Sequence, residues 1–95
     1  MAPENLTVRQ FQQHVSDRYE AADRARGTPG TWLHFSEEIG ELARALARKN
    51  DPANLAEEFA DVFAWLCTLA NINDVDLATA ISKKYLGDQP PIGTK

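Results

Sequence analysis

The sequence predicts an all-α protein. Four stretches carry apolar residues three and four positions apart, breakers rich in Gly, Pro or Asn separate them, and no strand alternation of useful length occurs. Because short connections favour antiparallel neighbours, we expect a bundle of about four helices. The 95 residues predict a single domain, with a core over about 7–86 and a flexible C-terminal tail.

The first two predicted helices are separated by G-T-P-G at residues 27–30. The first begins at Thr7, where T-V-R-Q forms a capping box with Gln10, and runs to about Arg26. The second runs from about Trp32 to Arg48. Each carries one core-facing stripe. The stripes are Val8, Phe11, Val15, Tyr19 and Ala22 in the first helix, and Trp32, Phe35, Ile39, Leu42 and Leu46 in the second.

The last two helices follow a tight break at N-D-P, residues 50–52. Asn54 with Glu57 is predicted to cap the third helix. A fourth is predicted from about Val75 to Tyr85, with Asp74 or Asp76 at its start. The inward residues are Leu55, Phe59, Val62, Leu66 and Leu69 in the third helix, and Ala78, Ile81 and Tyr85 in the fourth.

Composition excludes several functional classes. A net charge of −4 argues against binding to nucleic-acid duplexes, which requires clustered cations. No apolar run approaches the roughly 20 residues of a membrane span, and no secretory signal precedes the first helix, so we expect a cytoplasmic protein. The lone Cys67 reads as a core residue. For so small a domain with four apolar stripes we expect a homo-oligomer, a dimer or a dimer of dimers.

The acidic residues form a local repeat with an offset of twenty positions. E-E-I-G-E at 37–41 matches E-E-F-A-D at 57–61, and the apolar positions of the two helices follow the same offset. At about 100° per residue, Glu38 and Glu41 share one flank of the second helix, and Glu58 and Asp61 share one flank of the third. A hairpin turning near residue 51 would bring Glu41 to the height of Asp61, with the other two within about one turn.

Four converging carboxylates require a cation, since they would otherwise raise one another's pKa values. Hard oxygen ligands without Cys or His favour Mg²⁺ or Mn²⁺ over zinc. An alternative remains open from the residues alone. The acids can instead be the solvated faces of amphipathic helices, paired with Arg44, Arg48 or Lys49.

The doubled motif resembles a known family. E-E-x-x-E, followed sixteen residues later by E-E-x-x-D, looks like the signature of the MazG-type all-α nucleoside triphosphate pyrophosphohydrolases. The resemblance extends from Trp32 to Tyr85. It implies an oligomeric helical bundle that binds Mg²⁺ and hydrolyses nucleoside triphosphates, including noncanonical ones, to monophosphates and pyrophosphate.

The resemblance also implies roles for individual residues. Four acids would ligate the metal: Glu38, Glu41, Glu58 and Asp61. Glu37 and Glu57 are candidates for positioning or deprotonating the attacking water, or for supporting the metal ligands. Lys83 and Lys84 would contact phosphates, although lysine at a helix C-terminus is also ordinary dipole compensation. Trp65, one turn after Asp61 on the same flank, would stack on a base or wall the pocket, and the alternative that it packs in the core stays open. Trp32 is expected to pack in the core.

Two other activities remain as alternatives. A phosphoribosyl-ATP pyrophosphatase shares the acidic pattern, but its histidine shortly after the aspartate has no counterpart in residues 62–68. A non-catalytic helical dimerisation module would carry the same acids on its surface. His34, one turn before Glu38, is read as a surface residue, and neither it nor His14 forms the Glu-x-x-His motif of a di-iron bundle.

Overall fold

The computed structural model describes residues 4–87, and in this range the chain forms three α-helices and no strand. Helix α1 spans Val8–Arg48, α2 spans Pro52–Ile72 and α3 spans Leu77–Tyr85. The all-α prediction is confirmed. The predicted C-terminal tail beyond residue 87 lies outside the described residues. No helix in the described range is long and apolar enough to cross a membrane.

The predicted break at residues 27–30 is a kink within α1. Gly27 has φ 79° and ψ 174°, a left-handed backbone that glycine adopts without strain, and helix resumes immediately after it. Pro29 lies in the first turn of the resumed helix, where a missing N–H costs no hydrogen bond. The prediction of four separate helices is therefore corrected to three, with α1 divided at Gly27 into an N-terminal segment, 8–26, and a C-terminal segment, 28–48.

Side-chain caps begin every helix. The predicted capping box is confirmed, since the Gln10 N–H donates to Thr7 Oγ1 (3.0 Å) and the Thr7 N–H donates to Gln10 Oε1 (2.8 Å). Asp76, one of the two predicted candidates, caps α3 by accepting from the Thr79 N–H at 3.1 Å. These bonds satisfy N–H groups that the first helical turn leaves without a partner.

The predicted start of α2 at Asn54 is wrong by three residues. Asp51 is the cap, and its Oδ1 accepts a hydrogen bond from the Asn54 N–H at 3.1 Å. Pro52 follows at the first helical position, where its fixed φ suits a helix. Asn54 and Glu57 therefore lie within the helix rather than at its boundary.

Helix α2 packs against both segments of α1. The C-terminal segment and α2 form an antiparallel hairpin in which the His34 and Trp65 rings stack with centroids 4.9 Å apart. On the N-terminal segment, the Phe11 and Phe63 rings stack at 5.9 Å. The buried Gln12 donates to Asn71 Oδ1 and to the Val75 carbonyl, which ties the end of α2 to α1.

Several predicted core residues are exposed. Trp32 is 54% exposed, against the prediction that it packs in the core, and its ring contacts only Phe35 among the described aromatic rings. An amphipathic stripe predicts that a partner covers it, but it does not indicate which chain supplies the partner. The other exposed large apolar residues of the stripes are Tyr19, Ile39, Leu46, Phe59, Leu66, Ile81 and Tyr85.

Candidate metal centre

Three carboxylates from the hairpin come together. Glu38 on α1 faces Glu58 and Asp61, which lie one turn apart on α2, and one oxygen atom of each lies within 4.8 Å of the others. The antiparallel pairing of the two helices produces this arrangement, because it places equivalent positions of the twenty-residue repeat on facing flanks. The structure thus brings together three of the four predicted ligands.

Two oxygens in this cluster have no hydrogen-bond partner. Glu38 Oε2 and Glu58 Oε2 are both shielded from solvent, and no described donor reaches either atom. Burial raises the pKa of the Glu38 carboxyl, and the charges of Glu41 and Asp61 raise it further. Burial, then the same two neighbours, also raises the pKa of Glu58. Shielded carboxylates without donors are costly unless a cation neutralises them, so this geometry suits a metal ion.

The fourth predicted ligand, Glu41, lies at the edge of the cluster. It is exposed and lines a cavity together with Glu58, but it is not among the three closest carboxylates. The sequence predicted Glu41 at the height of Asp61. The oxygens that lie within 4.8 Å of one another belong to Glu38, Glu58 and Asp61, and the charge of Glu41 acts on both Glu38 and Glu58. Glu41 therefore contributes negative charge to the site.

Glu37 and Glu57 flank the cluster on the solvent side. Both are exposed, and each is the weakest of the contributors that raise a neighbouring pKa, Glu37 acting on Glu38 and Glu57 on Glu58. In this position, the carboxylates of Glu37 and Glu57 contact solvent water beside Glu38, Glu58 and Asp61.

The alternative of a solvated, salt-bridged helix face finds no support in the contacts. None of the four ion pairs among residues 4–87 involves an acid of the repeat, and none involves Arg44, Arg48 or Lys49. Glu38, Glu58 and Asp61 thus face one another across the hairpin, and no acid of the repeat pairs with a cation among residues 4–87.

Residues 29–88 match a family model described as the MazG nucleotide pyrophosphohydrolase domain. The chain belongs to this family. The matched stretch covers more than half of the sequence and contains every acid of the cluster, which confirms the resemblance inferred from the doubled motif. A search of curated proteins found no match. The MazG match begins two residues after the kink, so the N-terminal segment of α1 lies outside it.

Within the MazG match, Trp65 is half-buried one turn beyond Asp61. Its ring stacks on His34 at 4.9 Å, and the Arg26 guanidinium lies over it, 5.0 Å from the centroid. His34, read from the sequence as a surface residue, is exposed but belongs to this stack. The stack forms a wall on the kink side of the acidic cluster.

A buried polar network supports that wall, and no local pattern in the sequence predicted it. Asp23 is 5% exposed; its Oδ1 accepts from Arg26 Nη2 and its Oδ2 accepts from Thr68 Oγ1 at 3.2 Å. Arg26 Nε donates across the kink to the fully buried Thr31 at 3.0 Å. A Cβ at Gly30 would meet Arg26 Cγ at 2.9 Å, so this glycine makes room for the arginine stem. Gly27 and Gly30, which follow Arg26 closely, are the sequence feature that could have indicated this network.

A cavity of about 320 Å³ adjoins this network. Its lining combines aromatic and polar groups, as ligand pockets commonly do. The lining residues are Val15, Tyr19, Ala22, Asp23, Arg26, Ala64, Trp65 and Thr68.

Two further sequence predictions concern residues away from the cluster. Lys83 and Lys84 lie exposed in the last turn of α3, and neither lines the two cavities beside the acids. Their predicted contact with phosphates stays a prediction. The reading of Cys67 as a core residue is confirmed, since it is fully buried, and burial raises the pKa of its thiol to about 11.

Proposed function

We propose that the chain hydrolyses nucleoside triphosphates to monophosphates and pyrophosphate with Mg²⁺, or Mn²⁺ as a substitute, and that it clears noncanonical nucleotides. The observation that carries this proposal is the pair of shielded, partnerless oxygens on Glu38 and Glu58. They lie in a carboxylate cluster of a chain that belongs to a nucleotide pyrophosphohydrolase family.

The donor set fits magnesium. Glu38, Glu58 and Asp61 would hold the ion, with Glu41 in reach, and all offer the hard oxygen ligands that Mg²⁺ prefers. Bound there, Mg²⁺ supplies positive charge to phosphate oxygens and lowers the pKa of water. The three carboxylates would hold the ion, and with it this positive charge, between α1 and α2.

The outer glutamates suit the handling of water. Glu37 and Glu57 are exposed next to the inner acids, and a carboxylate in that position can orient a water molecule and accept its proton. We assign them this positioning or base role.

The wall formed by Trp65 suits the base end of the substrate. Its ring already stacks on His34, and the adjoining cavity presents aromatic faces beside the polar groups of Asp23 and Thr68. Stacking holds any base, whereas polar groups at the edge of a base discriminate between bases. This combination supports a nucleotide substrate with Trp65 as a wall of its pocket.

A homo-oligomer, a dimer or a dimer of dimers, would cover the exposed apolar residues. Trp32, Ile39 and Leu46 recur seven residues apart on α1, as do Phe59 and Leu66 on α2, and all five are at least 37% exposed. Such spacing is typical of helices that pack against further helices. Lys83 and Lys84 would then reach phosphates from a neighbouring copy. Size-exclusion chromatography with light scattering should give a multiple of the 10.6 kDa chain mass, and a monomer would contradict the oligomer.

The activity is tested with purified protein, Mg²⁺ and a panel of canonical and modified nucleoside triphosphates. We expect pyrophosphate and a monophosphate as products, with no activity in a chelator. The variant Glu41→Gln/Asp61→Asn should lose magnesium binding and keep its helicity. Asp17→Asn, which removes an exposed acid elsewhere on α1, is the matched control. Release of orthophosphate, or no turnover of any triphosphate, would contradict the proposal.

The remaining sequence predictions stand as part of the same proposal. A single MazG-like domain acting in the cytoplasm would meet its nucleotide substrates there, and a thiol at Cys67 is compatible with a reducing compartment. Fractionation of cells that express the tagged chain would test the location.

A further inference from the structure

A second cavity lies on the other side of the acidic cluster, toward the α1–α2 turn. Its volume is about 490 Å³. Glu41 and Glu58 line one part of it, so it is continuous with the candidate metal centre. The full lining is Glu41, Arg44, Ala45, Arg48, Asn50, Asp51, Asn54 and Glu58.

Among residues 4–87, two arginines of this cavity have no acidic partner. Arg44 and Arg48 follow Glu41 by three and seven residues, which places all three on one side of α1, and the buried Ala45 shows that this side faces α2. Arg9, Arg24 and Arg26 each form an ion pair with an aspartate, whereas Arg44 and Arg48 form none with the residues the structure describes. Their guanidinium groups are therefore available to a ligand.

The cavity suits an anion with several phosphate oxygens. A guanidinium presents a planar fork of donors that matches phosphate, and the amides of Asn50 and Asn54 add neutral donors. Three acids, Glu41, Asp51 and Glu58, also line the cavity and would repel a bare anion. An anion that shares a cation with the acidic cluster avoids that repulsion, since magnesium sites commonly include substrate phosphates.

The cluster lies between this cavity and the aromatic wall. Trp65 follows Asp61 by one turn, roughly 6 Å along α2 toward the kink, and Arg48 follows Glu41 by roughly 10 Å along α1 toward the turn. A nucleotide with its α-phosphate at the cluster therefore has two opposite directions in which to extend. The aromatic rings on one side of the cluster suit the base, and Arg44 and Arg48 on the other side suit the remaining phosphates.

We propose that Arg44 and Arg48 bind the β- and γ-phosphates of the substrate and hold the departing pyrophosphate in the cavity next to the α1–α2 turn. This inference rests on the proposed function. In the reaction, the water oxygen bonds to the α-phosphorus, and the bond from that phosphorus to the bridging oxygen breaks. The bridging oxygen leaves with its electron pair as part of pyrophosphate, and the proton of the water passes to a carboxylate and then to solvent.

Product inhibition distinguishes this assignment from a general electrostatic effect. Pyrophosphate contains the groups that the arginines are assigned to bind, whereas a nucleoside monophosphate lacks them. We would measure inhibition by each product, with Mg²⁺ present, for the wild type, Arg44→Gln, Arg48→Gln and the double variant. Lys49→Gln is the matched control, because it removes one positive charge next to Arg48 from a residue that does not line the cavity.

Each arginine variant should weaken pyrophosphate inhibition about tenfold or more, the scale of one charge-assisted hydrogen bond, and leave monophosphate inhibition within about twofold. Arg44→Lys and Arg48→Lys keep the charge but lose the fork, and should fall between wild type and the Gln variants. Equal weakening of both inhibitors, or unchanged pyrophosphate inhibition, would overturn the assignment.

Direct binding separates this inference from the proposed reaction. Calorimetric titration of Mg²⁺-pyrophosphate into the protein needs no turnover. If the wild type hydrolyses triphosphates but its pyrophosphate affinity does not depend on the arginines, the reaction stands and the inference fails. If pyrophosphate binding depends on both arginines but no triphosphate is hydrolysed, the pyrophosphate site stands and the proposed reaction fails.

Discussion

Asp23 and Glu38 are both acids enclosed between α1 and α2, but their surroundings differ. Both oxygens of Asp23 have partners, Arg26 on one side and Thr68 on the other. Glu38 Oε2 has none, and the charged groups that raise the pKa of Glu38 are other acids. A buried charge is tolerated when it is paired. The charge of Asp23 is therefore satisfied within the chain, whereas the described residues leave Glu38 Oε2 without a partner.

The largest expected effect comes from removing a carboxylate of the cluster. Glu38→Gln and Glu58→Gln should each lower kcat/KM for triphosphate hydrolysis at least about a hundredfold, because a lost metal ligand removes several kcal/mol of charge stabilisation. Steady-state pyrophosphate release measures this loss. The unfolding midpoint without metal should not fall. A variant that keeps wild-type kcat/KM at limiting Mg²⁺ would show that its carboxylate does not bind the ion.

Removing the charge of Asp23, the acid whose oxygens have partners, should lower the stability of the fold. Asp23→Asn removes the charge that partners Arg26 and should destabilise the fold by about 2–3 kcal/mol, a value reduced because the Arg26 side chain is 27% exposed. Urea denaturation measures the loss. The exposed Asp17→Asn should change stability by less than about 0.5 kcal/mol. An Asp23→Asn protein as stable as the wild type would show that the network contributes nothing to the fold.

The difference between these two regions also explains what the sequence could predict. Glu38, Glu58 and Asp61 belong to a local repeat whose spacing is visible along the chain, so their convergence followed from helix geometry and one turn. Asp23 and Thr68 are 45 positions apart, and no local pattern links them. The turn near residue 51 was likewise predicted from a local signal, and α2 begins there with Asp51 as its cap.

Helix signals with a local cause were more reliable than those that depend on a partner. The capping box of Thr7 and Gln10 is made by residues within four positions, and it was predicted correctly. Ile39 and Phe59 were predicted to face the core because they lie on apolar stripes, yet they are 43% and 54% exposed. An apolar stripe indicates that another element covers that helix surface. It does not indicate whether the covering element belongs to the same chain or to a second one.

A smaller effect concerns the stability of the metal-free protein at different pH. Because the pKa of Glu38 is raised on folding, its ionisation opposes folding. Its contribution is fully present below the unfolded pKa of about 4.3 and is lost as pH rises through the higher folded pKa. In a chelator, Glu38→Gln should therefore melt above the wild type at neutral pH and match it near pH 4. Saturating Mg²⁺ should reverse the order at neutral pH, since only the wild type gains from binding. If the variant melts below the wild type at neutral pH in the chelator, the negative charge of Glu38 is compensated in the metal-free protein and the prediction is wrong.

The smallest effect belongs to Asp76, an exposed acid with its charge already satisfied. The Thr79 N–H and then Arg9 hold its pKa below the ordinary range. Stability from Asp76 is thus present above the unfolded pKa of about 3.9 and is lost as pH falls through the lower folded value. Asp76→Asn keeps an effective cap, so its melting temperature should lie slightly below the wild type at pH 7 and converge with it in acid. Arg9→Gln should reduce this difference without abolishing it, because the backbone bond to Thr79 remains. An Asp76→Asn protein that melts above the wild type at pH 7 would show instead that Asp76 carries an uncompensated charge, as Glu38 does.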